Sequence, residues 1–157
     1  MSDKEIFKVS LNKSMAQCSR KEHCTEDIRK KLSLWGVEIE DIDKIIAILV
    51  RENFINDTRY ATAFVRDKFK YNKWGKVKIA GHLRSKRLPP EIISSALDAI
   101  DNEQYAKFIR GILESHKRFM KAKNPLELKA KLLRFGLSKG FESSILYDIL
   151  GDLEEIH

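Results

Sequence analysis

Leu83-Arg-Ser-Lys-Arg-Leu88 is the stretch that decides the fold, because the chain carries two variants of it. One variant, Leu32–Val37, lies 51 positions earlier, and the other, Leu132–Leu137, lies 49 positions later. Each copy ends a helix-like segment, makes a turn and places an apolar residue directly after that turn. Self-similarity at a period of about 50 residues is typical of repeat arrays. The sequence therefore predicts three units of three helices each.

The predicted fold class is all-α, with three tandem three-helix repeats that form an elongated, curved helical array. Hydrophobic residues make up 43% of the chain and charged residues 34%, with seven Gly and three Pro. This composition favours long helices with solvated outer faces. We place repeat one at residues 13–55, repeat two at 56–101 and repeat three at 102–157. Residues 1–12 are polar with isolated apolar positions, and we predict that they form a disordered tail.

Residues with special backbone preferences mark the predicted helix boundaries. Gly36 ends the second helix, as expected of a residue that accepts positive φ. The apolar run Ile45–Val50 also fits a buried strand, but its register in the repeat favours a helix. Asn56 or Asp57 caps the fourth helix. The other predicted boundaries are a first helix from Lys13, a start at Pro90, a long helix from Asn102 to Lys121 and a start at Asn124-Pro125.

Several classes of protein are excluded by composition. No apolar run approaches the roughly 20 residues that a membrane span needs. Residues 1–12 lack the order of a secretory signal. Two cysteines in 157 residues do not make a disulfide scaffold, which favours a reducing compartment. We therefore expect a cytoplasmic protein without membrane association, and a monomer.

The net charge of +7 is unevenly distributed along the chain. Residues 64–87 hold nine Lys/Arg and one acid, and residues 117–139 hold eight and one. Residues 38–57 and 142–155 are acidic instead. Clustered Lys and Arg are typical of proteins that bind polyanions such as nucleic acids. The alternative is a helical protein whose charges are only solvated.

Basic residues recur at helical spacing on the outward faces of the two central helices. Arg59, Arg66, Lys70 and Lys73 share one side at 100° per residue, as do Lys78, His82 and Lys86. Trp74 and Tyr71 interleave with these cations, so either ring suits stacking on single-stranded nucleic acid or wedging between helices. We predict one contact strip, composed of Arg59, Arg66, Lys70, Lys73, Lys78, Lys86, Lys131 and Arg134.

No local motif indicates catalysis or metal binding. Cys18, His23 and Cys24 lie close in sequence, but their spacing differs from the paired ligands of structural zinc sites. His116 falls on the apolar side of its helix, where a packed histidine is expected. The chain lacks a P-loop, a dinucleotide-binding turn, HExxH and a nucleophile elbow. We predict a protein with no catalytic residue, no metal and no enzymatic activity.

Three segments in order resemble the RecX family of regulatory proteins. They are Arg20–Leu32 followed by Gly36, then Phe54-Ile-Asn-Asp-Thr-Arg-Tyr-Ala61 with Phe64 and Val65, then Gly75–Ile79 with Leu83 and Lys86. The resemblance spans residues 16–150. Two positions depart from the family pattern: Arg87 replaces a preferred Gly, and Cys24 replaces a preferred Ser cap, which we expect to shift the cap to Thr25.

The resemblance implies three three-helix units that bind the RecA filament on single-stranded DNA. It further implies modulation, usually inhibition, of the ATPase and strand-exchange activities of RecA, without a cofactor. Roles in DNA repair, homologous recombination and the SOS response would follow.

Two alternatives remain at this point. One is an independent, non-sequence-specific DNA-binding helical protein, and the other is a protein-binding scaffold. A helix-turn-helix reader of sequence is disfavoured because Glu91–Ile100 contains no Lys or Arg to contact bases.

Overall fold

The computed structural model describes residues 1–155 and the side chains of residues 1–151. This part of the chain contains nine helices and no strand, as the predicted all-α class requires. The helices are α1 (Asp3–Arg20), α2 (Thr25–Leu34), α3 (Ile39–Arg51), α4 (Asp57–Lys70), α5 (Lys76–Ser85), α6 (Pro90–Asp98), α7 (Asn102–Lys117), α8 (Pro125–Ser138) and α9 (Ser143–Glu155).

The helices pack into two compact units. Unit 1 contains residues 1–64 and 83–93, and unit 2 contains residues 65–82 and those from Ser94 onward. Helices α1–α3 therefore lie in unit 1 and α7–α9 in unit 2, whereas α4–α6 are divided between the two. The predicted repeat limits after residues 55 and 101 stay predictions.

Unit 1 is built around fully buried aliphatic side chains of α2 and α3. Ile28 and Leu32 of α2 meet Ile45 and Leu49 of α3, all four with no exposed surface. Burial of each such side chain contributes about 1.5–3 kcal/mol. The apolar run Ile45–Val50 is thus part of a helix, and the strand alternative is wrong.

The amino-terminal helix α1 corrects the predicted disordered tail. Ser2 caps it by accepting a hydrogen bond from Glu5 N at 3.2 Å, and the helix begins ten residues before Lys13. Phe7, Leu11 and Met15, spaced four apart, pack against the core of unit 1. This apolar stripe outweighs the polar composition of residues 1–12.

Unit 2 is built around α7, α8 and α9. Its buried residues include Tyr105 and Leu113 of α7, Leu132 of α8, and Phe141 and Leu146 beside them. Asn124 caps α8 as predicted, by accepting from Glu127 N at 2.8 Å, with Pro125 in the first turn.

Two large apolar residues near these helices, Phe119 and Val77, are exposed. Helix α7 ends at Lys117, four residues earlier than predicted, so Phe119 lies beyond it and is 86% exposed. Val77 is exposed because the buried face of α5 is formed by Ile79 and Leu83.

The same turn closes α2, α5 and α8, and a turn of this kind also closes α3 at Asn53. In each of α2, α5 and α8 the second residue after the helix has positive φ, at 84° for Gly36, 59° for Arg87 and 91° for Gly140. Two backbone hydrogen bonds then form the paired pattern of a Schellman motif. They are Gly36 N to Ser33 O with Val37 N to Leu32 O, Arg87 N to Arg84 O with Leu88 N to Leu83 O, and Gly140 N to Leu137 O with Phe141 N to Gly136 O.

These turns correct the register of the third repeat. The segment equivalent to Leu83–Leu88 is Gly136–Phe141, which lies four residues after the predicted Leu132–Leu137. Gly136 does not end α8 but lies buried inside it. A Cβ at Gly136 would come within 2.5 Å of Leu146 Cδ2, so this glycine permits close approach of α9.

Arg87 is expected to be improved by glycine. An L-residue at φ 59° is strained, whereas glycine adopts this conformation without a Cβ penalty. The ion pair of Arg87 with Glu26 is long, at 3.9 Å, and the Arg87 side chain is 81% exposed, so little stabilisation is removed. We predict that Arg87→Gly raises the free energy of unfolding by about 0.5–1 kcal/mol in urea denaturation. A destabilised variant would show that the Arg87 side chain contributes more than its backbone strain costs.

Candidate polyanion-binding surface

The eight predicted contact residues are divided between the two units. Arg59 and Lys86 belong to unit 1. The other six belong to unit 2 and are Arg66, Lys70, Lys73, Lys78, Lys131 and Arg134.

Arg59 is held by contacts inside unit 1. Its Nε donates to Glu22 at 2.7 Å, and its Nη2 donates to the carbonyl oxygens of Asn53 and Phe54 at 3.2 and 3.3 Å. The guanidinium therefore joins the segment before α2 to the segment between α3 and α4. Its side chain remains 39% exposed.

Two side chains at the start of α4 cap two different helices. Asp57 accepts from Thr25 N at 2.9 Å and from Thr25 Oγ1 at 3.0 Å. Asp57 thus caps α2 in place of Cys24, which keeps the N-cap position but makes no side-chain capping bond, so the predicted shift of the cap to Thr25 is wrong. Asn56 caps α4 by accepting from Arg59 N. The predicted choice between Asn56 and Asp57 is resolved, and each caps a different helix.

Lys86 is paired within unit 1 as well. Its Nζ lies 2.6 Å from Asp27 Oδ1, in a half-buried ion pair. Burial acts to raise the pKa of Asp27, but the hydrogen bond and charge of Lys86 prevail and hold it below its ordinary value. The same bond to Asp27 raises the pKa of Lys86. Both groups therefore stay charged at neutral pH, and the pair stabilises unit 1.

The cations of α4 and α8 in unit 2 differ in exposure. Arg66 and Lys70 are exposed, with Arg66 Nε 3.3 Å from its neighbour Asp67 and Lys70 Nζ 5.3 Å from the centre of the Tyr71 ring. Lys131 donates to Lys121 O at 2.7 Å and pairs with Glu127 at 3.1 Å, so it connects the segment before α8 with the first turn of that helix. Arg134 is exposed.

The turn before α5 meets the turn after α8 through the backbone. Gly75 N donates to Lys139 O at 2.7 Å, and Val77 N donates to Gly140 O at 3.0 Å. Lys76 N donates to the buried Tyr105 hydroxyl at 2.9 Å. The amides of Lys76 and Val77 are thus satisfied by α7 and by the turn after α8, since no residue of α5 itself can accept from them.

Tyr105 anchors this junction from α7. Its hydroxyl accepts from Lys76 N and donates to Glu142 Oε1 at 2.5 Å. Burial and the Glu142 carboxylate raise the pKa of Tyr105, so the phenol remains protonated and can donate.

Lys139 is a basic residue of this surface that the sequence prediction missed. Its Nζ donates to Asn72 O at 3.0 Å, which places it on the turn that carries Lys73. Burial lowers the pKa of Lys139, and the nearby charges of Lys78 and Lys73 lower it further. Helical periodicity gives no sign of this residue, because Lys139 lies 61 positions from Lys78.

Trp74 and Tyr71 have different surroundings. Lys68 and Lys78 place their Nζ atoms 5.0 and 4.6 Å from the Trp74 ring centre, and His82 lies 4.6 Å from it. Trp74 therefore positions cations and is half-buried. Tyr71 is 70% exposed, which leaves its ring accessible for stacking.

Among the side chains of residues 1–151, no group of three His, Cys, Asp or Glu is arranged to hold a metal ion. Cys18 and Cys24 are buried free thiols, and burial raises the pKa of Cys24 to about 11. His116 stacks on Phe135 with ring centres 3.6 Å apart. None of the helices within residues 1–155 is long and apolar enough to cross a membrane.

Comparison with known proteins identifies the family. A family model described as the second three-helix domain of RecX matches residues 56–97. A protein named regulatory protein RecX from Clostridium botulinum (strain Alaska E43 / Type E3) is 31% identical over 159 residues, which cover 94% of this chain and 74% of that protein. One of the same name from Streptococcus agalactiae serotype V is 30% identical and covers 96% and 58%, respectively.

The relatives differ in length from this chain, which spans 59% of a third RecX protein, from Clostridium botulinum strain Eklund 17B. Two crystal structures share the fold. RecX from Lactobacillus salivarius has a TM-score of 0.83 at 20% identity and is covered to 97%, with 96% of this chain aligned. A structure described as regulatory protein RecX has a TM-score of 0.85 at 23% identity and is covered to 73%. The chain belongs to the RecX family of regulatory proteins.

Proposed function

We propose that this protein binds the RecA filament on single-stranded DNA and inhibits its ATPase, recombinase and strand-exchange activities. Membership of a family of regulatory proteins named RecX is the observation that carries the proposal. The protein would act as a monomer in the cytoplasm, without a cofactor and without catalysis of its own.

The charge distribution supports an ionic contact with such a filament. Arg66, Lys70 and Arg134 are exposed, and Lys73 and Lys78 lie on the junction described above. A nucleoprotein filament presents phosphates and acidic protein groups, which attract clustered cations at short range. Arg59, Lys86 and Lys131 are bound to other groups of the protein. We therefore assign the larger share of the contact to the other five residues, which are Arg66, Lys70, Lys73, Lys78 and Arg134.

The proposal is tested by following ATP hydrolysis by RecA on single-stranded DNA while this protein is added. We expect hydrolysis to fall with rising protein concentration, and the effect to weaken as salt is increased. Unchanged hydrolysis at concentrations that saturate binding would contradict the inhibitory role.

Charge reversal at Lys70 and Lys78 is expected to raise the protein concentration needed for half-inhibition about ten-fold, because two attractive contacts become repulsive. Circular dichroism should show unchanged helicity, since both ammonium groups lie over aromatic rings at 4.6–5.3 Å and do not hold helix ends. Lys30→Glu with Lys44→Glu is a matched control that changes the net charge equally on exposed helix positions of unit 1. Equal loss in both double variants would mean that net charge alone matters.

A second candidate is independent binding to bare single-stranded DNA, which the exposed Tyr71 ring favours. Co-sedimentation with DNA alone, RecA alone and the filament separates the two. Preference for the filament supports the first proposal, whereas equal binding to bare DNA supports the second.

A further inference from the structure

Three lysines from separate elements converge at the junction of unit 2. Lys73 precedes α5, Lys78 lies in its first turn, and Lys139 follows α8. We call Lys73, Lys78 and Lys139 the lysine triad. The two backbone bonds from Gly75 and Val77 to the turn after α8 fix the relative positions of these segments.

The junction is too tightly packed to shift. A Cβ at Gly75 would lie 2.2 Å from Gly140 O, and a Cβ at Gly140 would lie 2.2 Å from Lys78 Cβ. Real Cβ atoms do not approach this closely, so glycine is required at both positions. The bases of Lys78 and Lys139 are consequently held together by backbone contact.

The charge of the lysine triad is not neutralised within the protein. Among the side chains that the structure describes, no carboxylate forms an ion pair with any of the three. The neighbouring Glu142 is bound to the Tyr105 hydroxyl instead. Like charges held together without a counter-ion repel one another, and an anion that binds them relieves this repulsion.

The site favours phosphate through the chemistry of its donors. The amides of Gly75, Lys76 and Val77 are already bonded, so we take the ammonium groups as the donors of the site. Ammonium groups bind phosphate as point charges, as lysines do in many phosphate sites. Tyr71, in the same turn as Lys73, offers an exposed ring for a base of the same strand.

We infer that the lysine triad binds a phosphate of the backbone of a single-stranded nucleic acid. This inference rests on the proposed function and gives its contact with the DNA strand a location. In this inference the three ammonium groups hold the strand phosphate, and the left-handed backbone of Lys73, at φ 58°, sets the direction in which its side chain leaves the turn.

The test measures binding of a fluorescent oligodeoxythymidylate to the full chain, without RecA, over a range of salt concentrations. We expect Lys73→Gly with Lys139→Gln to weaken binding about ten-fold. The slope of log affinity against log salt should become shallower by roughly 0.7 for each phosphate that the variant no longer neutralises. Lys30→Gln with Lys44→Gln removes the same charge from unit 1 and should leave the slope unchanged. An equal slope in the triad variant and the wild type would contradict the inference that the lysine triad binds a strand phosphate.

Lys73→Gly alone separates binding from folding. Glycine relieves the positive φ, so the variant should melt at the same or a higher temperature while it binds the strand more weakly. If Lys73→Gly binds the strand as tightly as the wild type, Lys73 is not part of the binding site.

Further arms distinguish the source of the phosphate and the role of the site. Inorganic phosphate, at the same phosphate concentration, should compete poorly with the strand, and full competition would overturn the assignment to a strand. With an abasic oligonucleotide, the slope of log affinity against log salt should differ between the wild type and the triad variant by the same amount as with oligodeoxythymidylate. The RecA assay is read separately. If the triad variant binds the oligonucleotide weakly but still inhibits RecA, the lysine triad binds nucleic acid but takes no part in the filament contact. Failure of the wild type to inhibit RecA contradicts the proposed function alone.

Discussion

Replacing Gly140 with alanine is expected to lower the free energy of unfolding of unit 2 by about 3–4 kcal/mol. An L-residue at φ 91° costs about 1–2 kcal/mol. The new Cβ would also lie 2.2 Å from Lys78 Cβ and 2.7 Å from Lys78 N. Overpacking of this kind costs about 1–3 kcal/mol. Lys78 cannot move away easily, because these atoms belong to or adjoin the backbone.

Gly36→Ala is the matched control for this prediction. Gly36 occupies the same position of the same turn, at φ 84°, but a Cβ there meets no atom within 4 Å. We expect a loss of about 1–2 kcal/mol, from backbone strain alone. Urea denaturation measures both variants, with Trp35 reporting on unit 1 and Trp74 on unit 2 in single-tryptophan backgrounds. If both variants lose the same free energy of unfolding, Lys78 moves away from the new Cβ without a measurable energetic penalty.

The repeat and the helical class could be predicted from sequence because they depend on local signals. Turn residues and apolar spacing recur at about 50 residues and have the same physical meaning in each copy. The third register was wrong because Gly136 and Gly140 look alike in sequence. Only packing distinguishes a glycine that makes room for Leu146 from one that ends a helix.

The site was less accessible to sequence reasoning. Helical spacing identifies residues that share a face, such as Lys70 and Arg66, but it does not show which cations are bound inside the protein. Lys86 and Arg59 have the same spacing as their neighbours, and their acidic partners Asp27 and Glu22 lie far away in sequence. Lys139 joins the surface only through tertiary contacts.

Arg59→Met is expected to lower the free energy of unfolding of unit 1 by about 2 kcal/mol. The change leaves Glu22 without its partner and removes donors from the carbonyl oxygens of Asn53 and Phe54. Hydrogen bonds to charged groups contribute about 1.5–3 kcal/mol, and the 39% exposure of the Arg59 side chain reduces this through solvent screening. Thermal unfolding followed by circular dichroism measures the loss.

Arg66→Met on the same helix is the control, because Arg66 is exposed and its contact with the adjacent Asp67 is long. We expect that variant to change stability by less than about 0.5 kcal/mol. The pair also separates structure from recognition: at a temperature where both variants are folded, Arg59→Met should inhibit RecA like the wild type, and Arg66→Met should inhibit it less. If Arg59→Met inhibits RecA less and Arg66→Met inhibits it like the wild type, Arg59 belongs to the contact surface, because its guanidinium then acts on the filament rather than on Glu22.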